Sequence, residues 1–166
     1  MPDPADPLLA ADDDARILAR ALLAKARHAS LAVTDAETGT PGISLIAFGL
    51  DPEGMPLTLV SGLAPHMAAL RSHPAAAVMV GSPGAKGDPL THPRLMIRVT
   101  AEFVARGTPE HAALREHWLA LQPKAKLYVD FADFAFARLV PVSAILNGGF
   151  GRAWRLTPED LRQERE

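Results

Sequence analysis

Residues 55–72, MPLTLVSGLAPHMAALRS, decide how the chain is read, because a short apolar strand there runs straight into the first turn of a helix. Leu57, Leu59 and Val60 favour an extended backbone, Ser61-Gly62 breaks the run, and Pro65 suits a first helical position, where no backbone donor is needed. The pattern predicts a helix from about Ala64. The opening amides of such a helix lack carbonyl partners within it and point outward with the positive end of the dipole, beside Ser61 and His66. Two readings stand side by side: an anion site built on those amides, and a plain junction in which Ser61 caps the helix and His66 lies at the surface.

Working outward, GISLIAFGL (42–50) is apolar on both faces, which predicts a strand buried on both sides, either between sheet layers or against a partner chain. Asp51-Pro52-Glu53-Gly54 then has the residue order of a type I turn and makes a hairpin into the opening stretch. Before it, HASLAVT (28–34) has extended character, and Asp12-Asp13-Asp14 caps a helix over 12–27 whose apolar face carries Ile17, Leu18, Ala21 and Leu22. Residues 1–11, acidic and proline-rich, read as a loose arm.

On the other side, His73-Pro74 stops the helix and AAAVMV (75–80) resumes a strand, followed by a Gly/Pro-rich loop over 81–93 that is either functional or a simple hairpin extension. Residues 94–103 show the clearest period of two. Leu95, Ile97, Val99, Ala101 and Phe103 share one face, and Arg94, Met96, Arg98, Thr100 and Glu102 the other. Thr108-Pro109-Glu110 starts a helix with Leu114, Trp118 and Leu121 as its buried stripe, and a second short helix covers 124–131. Residues 134–146 read as a strand broken or bent at Pro141, residues 147–152 as a glycine-rich loop, and Thr157 as the cap of a last helix over 157–166.

The totals exclude several classes. A chain of 166 residues with 48% hydrophobic and 22% charged content fits one soluble domain. A formal charge of −2 carries no electrostatic footprint for nucleic acid or an anionic membrane. The sequence has no cysteine, which removes disulfides and thiolate sites, and its start lacks the basic and apolar pattern of a signal peptide, so a cytoplasmic location is expected. His28, His73, His92, His111 and His117 show no metal-ligand spacing, and no metal is assigned. Ser44 and Ser143 lack a recognisable histidine and acid arrangement, so a hydrolase triad is not expected.

The expected fold is mainly β with peripheral helices: five or six antiparallel strands in a small barrel, one domain over 1–166 with the barrel at 28–153. Within that order, Leu63-Ala64-Pro65-His66, the loop from Gly87 to Thr91 leading into Pro93-Arg94, Tyr128 with Phe131-Ala132-Asp133-Phe134, and the run from Gly148 to Ala153 look like one family. The chain resembles the pyridoxamine 5'-phosphate oxidase-like split-barrel proteins, in the branch related to bacterial haem-utilization proteins, over about residues 28–153.

That resemblance implies a homodimer with two FMN sites at the subunit interface. It puts the FMN phosphate at Ser61, Gly62, Leu63 and His66, stands Arg94 on the strand that faces the flavin, and leaves Arg152 in the glycine-rich closing loop. The protein would then be an FMN-binding oxidoreductase of unknown substrate, the cofactor carrying the chemistry and no catalytic side chain being assigned. Two departures matter. Pro65-His66 stands where the oxidase branch has a basic pair, and Trp154-Arg155 does not align with that branch's C-terminal substrate signature. Haem-degrading relatives use a histidine from an additional C-terminal domain, whereas the last histidine here is His117, so a haem-binding or haem-utilization protein with another ligand set is the alternative, and a cofactor-free binding module a further one.

Overall fold

The computed structural model describes residues 6–149 and 151–163. Its elements run β1 (Leu9–Ala10), α1 (Asp13–Lys25), β2 (His28–Thr34), β3 (Pro41–Ala47), β4 (Gly49–Leu50), β5 (Pro56–Ser61), α2 (Pro65–Ser72), β6 (Ala75–Val80), β7 (Arg94–Phe103), α3 (Pro109–Leu121), β8 (Phe134–Asn147) and β9 (Ala153–Leu156). Short 3-10 turns cover Pro89–Thr91, Pro123–Leu127 and Glu159–Leu161.

Local chemistry accounts for most of these boundaries. The Asp12 carboxylate accepts the Ala15 amide at 2.8 Å and caps α1, and the Thr108 hydroxyl accepts the His111 amide at 3.1 Å and caps α3. At the hairpin turn the Gly54 amide donates to the Asp51 carbonyl at 2.9 Å, and Gly54 itself takes φ +83°, open to glycine at little cost. Alternation in β7 does what the pattern predicts: Leu95, Ile97, Val99 and Ala101 are buried while Arg98 and Glu102 are exposed.

The strands form one sheet in the order β1-β9-β8-β7-β6-β2-β3. β7 pairs with one edge of β8, and the other edge is shared end to end: β9 pairs with residues 144–147 and β5 with residues 134–138. Division of that edge between two strands splits the barrel. One apolar cluster fills the space between α1, β2, β6, β7 and β9; a second, with Leu57, Trp118 and Phe136, lies under α3.

Several expectations are corrected. Among the described residues there are nine strands rather than five or six, and β1 pairs with β9 in parallel, so the sheet is not wholly antiparallel. The 1–11 arm therefore carries a strand at its end, with its first five residues outside those described. On α1 the buried face is Ala15, Ala19 and Leu23; Ile17 and Ala21 are exposed. The 42–50 run is two strands interrupted at Phe48, whose side chain is fully buried in this chain's own core.

The chain after α3 departs in the same way. The 124–131 helix is a single 3-10 turn ending at Leu127. β8 continues through Pro141, because the register shifts there: Arg98 faces Ser143 and Val99 faces Pro141, leaving Val142 as an extra residue exposed to solvent. β9 had no counterpart in the sequence reading, and the final helix is the 3-10 turn Glu159–Leu161, with residues 164–166 of the expected element outside the description.

Candidate functional site

The turn between β5 and α2 has the predicted shape, with Pro65 at the first helical position, but its N-cap is Ala64, which supplies no side-chain hydrogen bond. Ser61 does not cap the helix. Its hydroxyl donates to Asp133 Oδ2 at 2.9 Å and accepts the Leu63 amide at 3.1 Å. The Gly62 amide donates to the Asp133 carbonyl at 2.7 Å, and the Ala64 amide to the Ser61 carbonyl at 3.1 Å. The Gly62, Leu63 and Ala64 amides are thus already bonded within the protein, and a carboxylate stands beside the turn where the phosphate was expected.

His66 is half-buried rather than exposed, and burial lowers its pKa below the ordinary histidine value. At neutral pH its ring is uncharged, so it supplies no counter-charge for a phosphate; a gain of FMN affinity on acidification to pH 6 through this residue is not expected. The residues at the turn do not fit a phosphate dianion.

Arg94 and Arg152 lie elsewhere. Arg94 opens β7 and pairs in register with Asn147, which pairs with Ala153, so both arginines stand at the far end of β8 from Ser61, whose register partner is Phe134. Arg94 donates one hydrogen bond, to the Leu90 carbonyl at 3.0 Å. Arg152 is exposed and stacks on Trp154 with its guanidinium carbon 5.3 Å from the ring centroid. The closing loop is shaped by contact: a Cβ on Gly148 would meet the Trp154 ring at 2.5 Å, so only glycine fits. Phe150, part of the run that carried the resemblance, lies outside the described residues.

Between these two ends lies the outward face of the sheet. Cross-strand registers line up Leu45, Ser30, Met79, Met96, Ile145 and Arg155 in one row, from β3 to β9. A second row runs Ile43, Ala32, Ala77, Arg98 and Ser143. Neither row contains a carboxylate. Ile43 is 78% exposed, Leu45 74% and Met79 43%, large apolar groups that an isolated sheet face would not present. Arg98 is exposed and makes no hydrogen bond or ion pair among the described residues, while Arg155 is held by Asp6 at 2.7 Å.

Sequence reasoning put Arg98 and Met96 beside Arg94 on the face of residues 94–103 that either lines a site or meets solvent, but carried only Arg94 into the site, and it passed over Met79. Asp133 lay in a run that carried the resemblance, but nothing local pointed to its partner: it meets Ser61 from 72 residues away. Among the described residues no helix is long and apolar enough to cross a membrane, and no three or more histidine or acidic side chains are grouped to hold a metal.

No family model matches the chain. It is 34% identical over 126 residues to the chloroplastic non-canonical heme oxygenase HOZ of Arabidopsis thaliana, an alignment covering 76% of this chain and 37% of HOZ. Among solved structures, a heme-binding protein from Mycobacterium smegmatis superimposes with a TM-score of 0.80 at 31% identity, over 91% of this chain and 61% of that one. A protein from Clostridium acetobutylicum described as of the pyridoxinephosphate oxidase family shares the fold, with a TM-score of 0.67 at 13% identity over 91% and 99% of the two chains. The chain has the split-barrel fold of the pyridoxamine 5'-phosphate oxidase-like proteins and is similar in sequence to relatives named for haem. It spans little more than a third of HOZ's length.

Proposed function

We propose that this protein is a homodimer that binds haem on the outward sheet face and serves in haem utilization. The observation that carries the reading is the composition of that face: an apolar bed of Ile43, Leu45, Met79, Met96 and Ile145, crossed by Arg98 and flanked by Arg94, with no carboxylate in either row. A flat apolar macrocycle bearing carboxylates is complementary to it, the ring lying on the aliphatic and thioether groups and the acids meeting guanidinium groups. Two relatives above 30% identity are named for haem, which supports the choice of ligand.

A second copy of the chain is the natural cover for the exposed isoleucine and leucine of β3, and a two-fold arrangement sets each face against its equivalent. Two like-charged faces approach best with an anionic ligand between them.

FMN, and with it an FMN-dependent oxidoreductase of unknown substrate, is the second reading, supported by the fold shared with a pyridoxinephosphate oxidase-family protein. Its phosphate would go to the arginine end, where Arg94 and Arg152 have donors to spare, rather than to the turn at Ser61. Titration with haemin and with FMN separates the two. Haem binding gives a Soret band saturating at micromolar haemin; FMN binding gives quenched flavin fluorescence instead. If neither ligand binds at micromolar concentration, both readings fall and the cofactor-free binding module replaces them.

A further inference from the structure

We propose that Asp133 is a built-in anion that closes the Ser61–Gly62 turn to phosphate, and so sets the candidate site to ligands whose acidic groups are taken up by arginines. Its carboxylate accepts the Ser61 hydroxyl at 2.9 Å and its carbonyl accepts the Gly62 amide at 2.7 Å. Through Ser61 it also holds the Leu63 amide, which donates to Ser61 Oγ at 3.1 Å. One residue thereby occupies, directly or at one remove, the Ser61 hydroxyl and the Gly62 and Leu63 amides.

The segment carrying Asp133 is not free to swing away. Arg106 donates through Nη1 to the carbonyls of Phe131 and Phe134, each at 2.8 Å, and through Nη2 to that of Asp130 at 3.2 Å. Arg115 grips the Asp130 carboxylate with two hydrogen bonds of 2.6 Å. The fit against the turn is close as well, since a Cβ on Gly62 would stand 2.9 Å from the Asp133 carbonyl oxygen. A phosphate entering here would have to break the Ser61 bond, find the Gly62, Leu63 and Ala64 amides already engaged, and rest beside a like charge with no lysine or arginine in residues 61–66 to offset it.

The inference rests on the proposed reading of the protein as a holder of a flat anionic cofactor, but its first test does not. Inorganic phosphate is titrated into the isotopically labelled full chain while the Gly62 and Leu63 amide resonances are followed. In the unmodified protein and in Asp133→Glu, which keeps the charge, about 20 mM phosphate should leave both resonances in place, a concentration at which a typical weak anion site fills. In Asp133→Asn and Asp133→Ala, which keep the backbone carbonyl on Gly62 but remove the charge beside Ser61, the Leu63 resonance should move and saturate. The second test compares FMN with riboflavin: their affinity ratio should be unchanged in Asp133→Glu and rise about tenfold in Asp133→Asn, the gain of one charge-assisted contact at the opened turn. Movement of the two amides in the unmodified protein overturns the proposal. So does the absence of a phosphate response in both neutral variants. If no flavin and no haem bind, the reading of the protein's function fails while the phosphate titration still decides the role of Asp133.

Discussion

Ser61 and Arg94 stand opposite the two terminal residues of one strand: Ser61 is paired with Phe134 and Arg94 with Asn147, the first and last residues of the 14-residue β8. At about 3.3 Å per residue the path between them is on the order of 40 Å, more than one flat cofactor spans, so a ligand held at the arginine end does not reach the Ser61 turn of the same chain.

Dimerisation is expected to be a condition of binding, because the exposed Ile43 and Leu45 of β3 call for a second copy as cover. The unmodified protein should sediment at twice the 17.7 kDa of the chain. Leu45→Glu, at a position 74% exposed in the single chain, should keep the far-UV spectrum of the fold yet weaken the dimer by about 3 kcal/mol or more, through an unpaired charge in the interface. Haemin affinity should fall with it. Phe48→Glu would not report on the interface, since Phe48 is core and its replacement unfolds the chain. A dimer that persists in Leu45→Glu at micromolar concentration would move the interface elsewhere.

Arg98→Ala should lower haemin affinity about 10- to 100-fold, matching the roughly 1.5–3 kcal/mol of a charge-assisted hydrogen bond. Folding stability should change by less than about 0.5 kcal/mol, because the exposed guanidinium makes no hydrogen bond or ion pair among the described residues. Spectroscopic titration and urea denaturation read the two quantities separately; unchanged haemin affinity would remove Arg98 from the site.

A different arginine should behave in the opposite way. Arg138 Nε donates to the buried Asp51 carboxylate at 2.8 Å, and the other oxygen of that carboxylate accepts the Glu53 and Met55 amides, both at 2.9 Å. Arg138 also pairs with Glu110. Arg138→Ala strands Asp51 as an unpaired buried charge and should destabilise the fold by about 3 kcal/mol. Glu110→Ala, at the exposed partner, should cost less than about 1 kcal/mol. Equal losses in urea denaturation would mean that the turn from Asp51 to Gly54 does not depend on this pair.

Acid sensitivity should trace to His111. Its ring is buried against Phe136, Nε2 has no hydrogen-bond partner, and burial first, then the Arg106 charge, lowers its pKa below the ordinary histidine value. The unfolded chain consequently takes up the proton before the folded one does. The stability contributed by the neutral ring is present above about pH 6.5 and is lost as the pH falls through the folded value. Between about pH 6.5 and 5, above the range in which the paired carboxylates titrate, denaturation midpoints should decline, and His111→Phe should flatten that decline. His66, lowered in the same direction, adds to the slope, so a variant lacking both histidines should be flattest. An undiminished slope in His111→Phe would count against the assignment.

How much was legible follows from the range of each signal. The bounds of β2, β6 and β7, the starts of α2 and α3, and the Asp51 turn came from alternation, capping residues, proline and glycine, all of which act within a few residues of themselves. β9 escaped because a four-residue strand has too few positions to show a period, and the continuity of β8 through Pro141 because a bulge opposite Val99 is a property of two strands rather than one.

By itself, then, the sequence determined the local elements, a turn of the right shape after Ser61 and an apolar segment in β3 in need of cover, since propensity and burial pattern are written residue by residue. Only the tertiary structure decided what that turn holds and what that segment faces. Cross-strand register set Met79 beside Met96 and Arg98 beside Ala77, and chain closure brought Asp133 onto Ser61 from 72 residues away. Such meetings are selected by the packing of the whole sheet, whose energy is shared among contacts distant in sequence, and no short stretch encodes them.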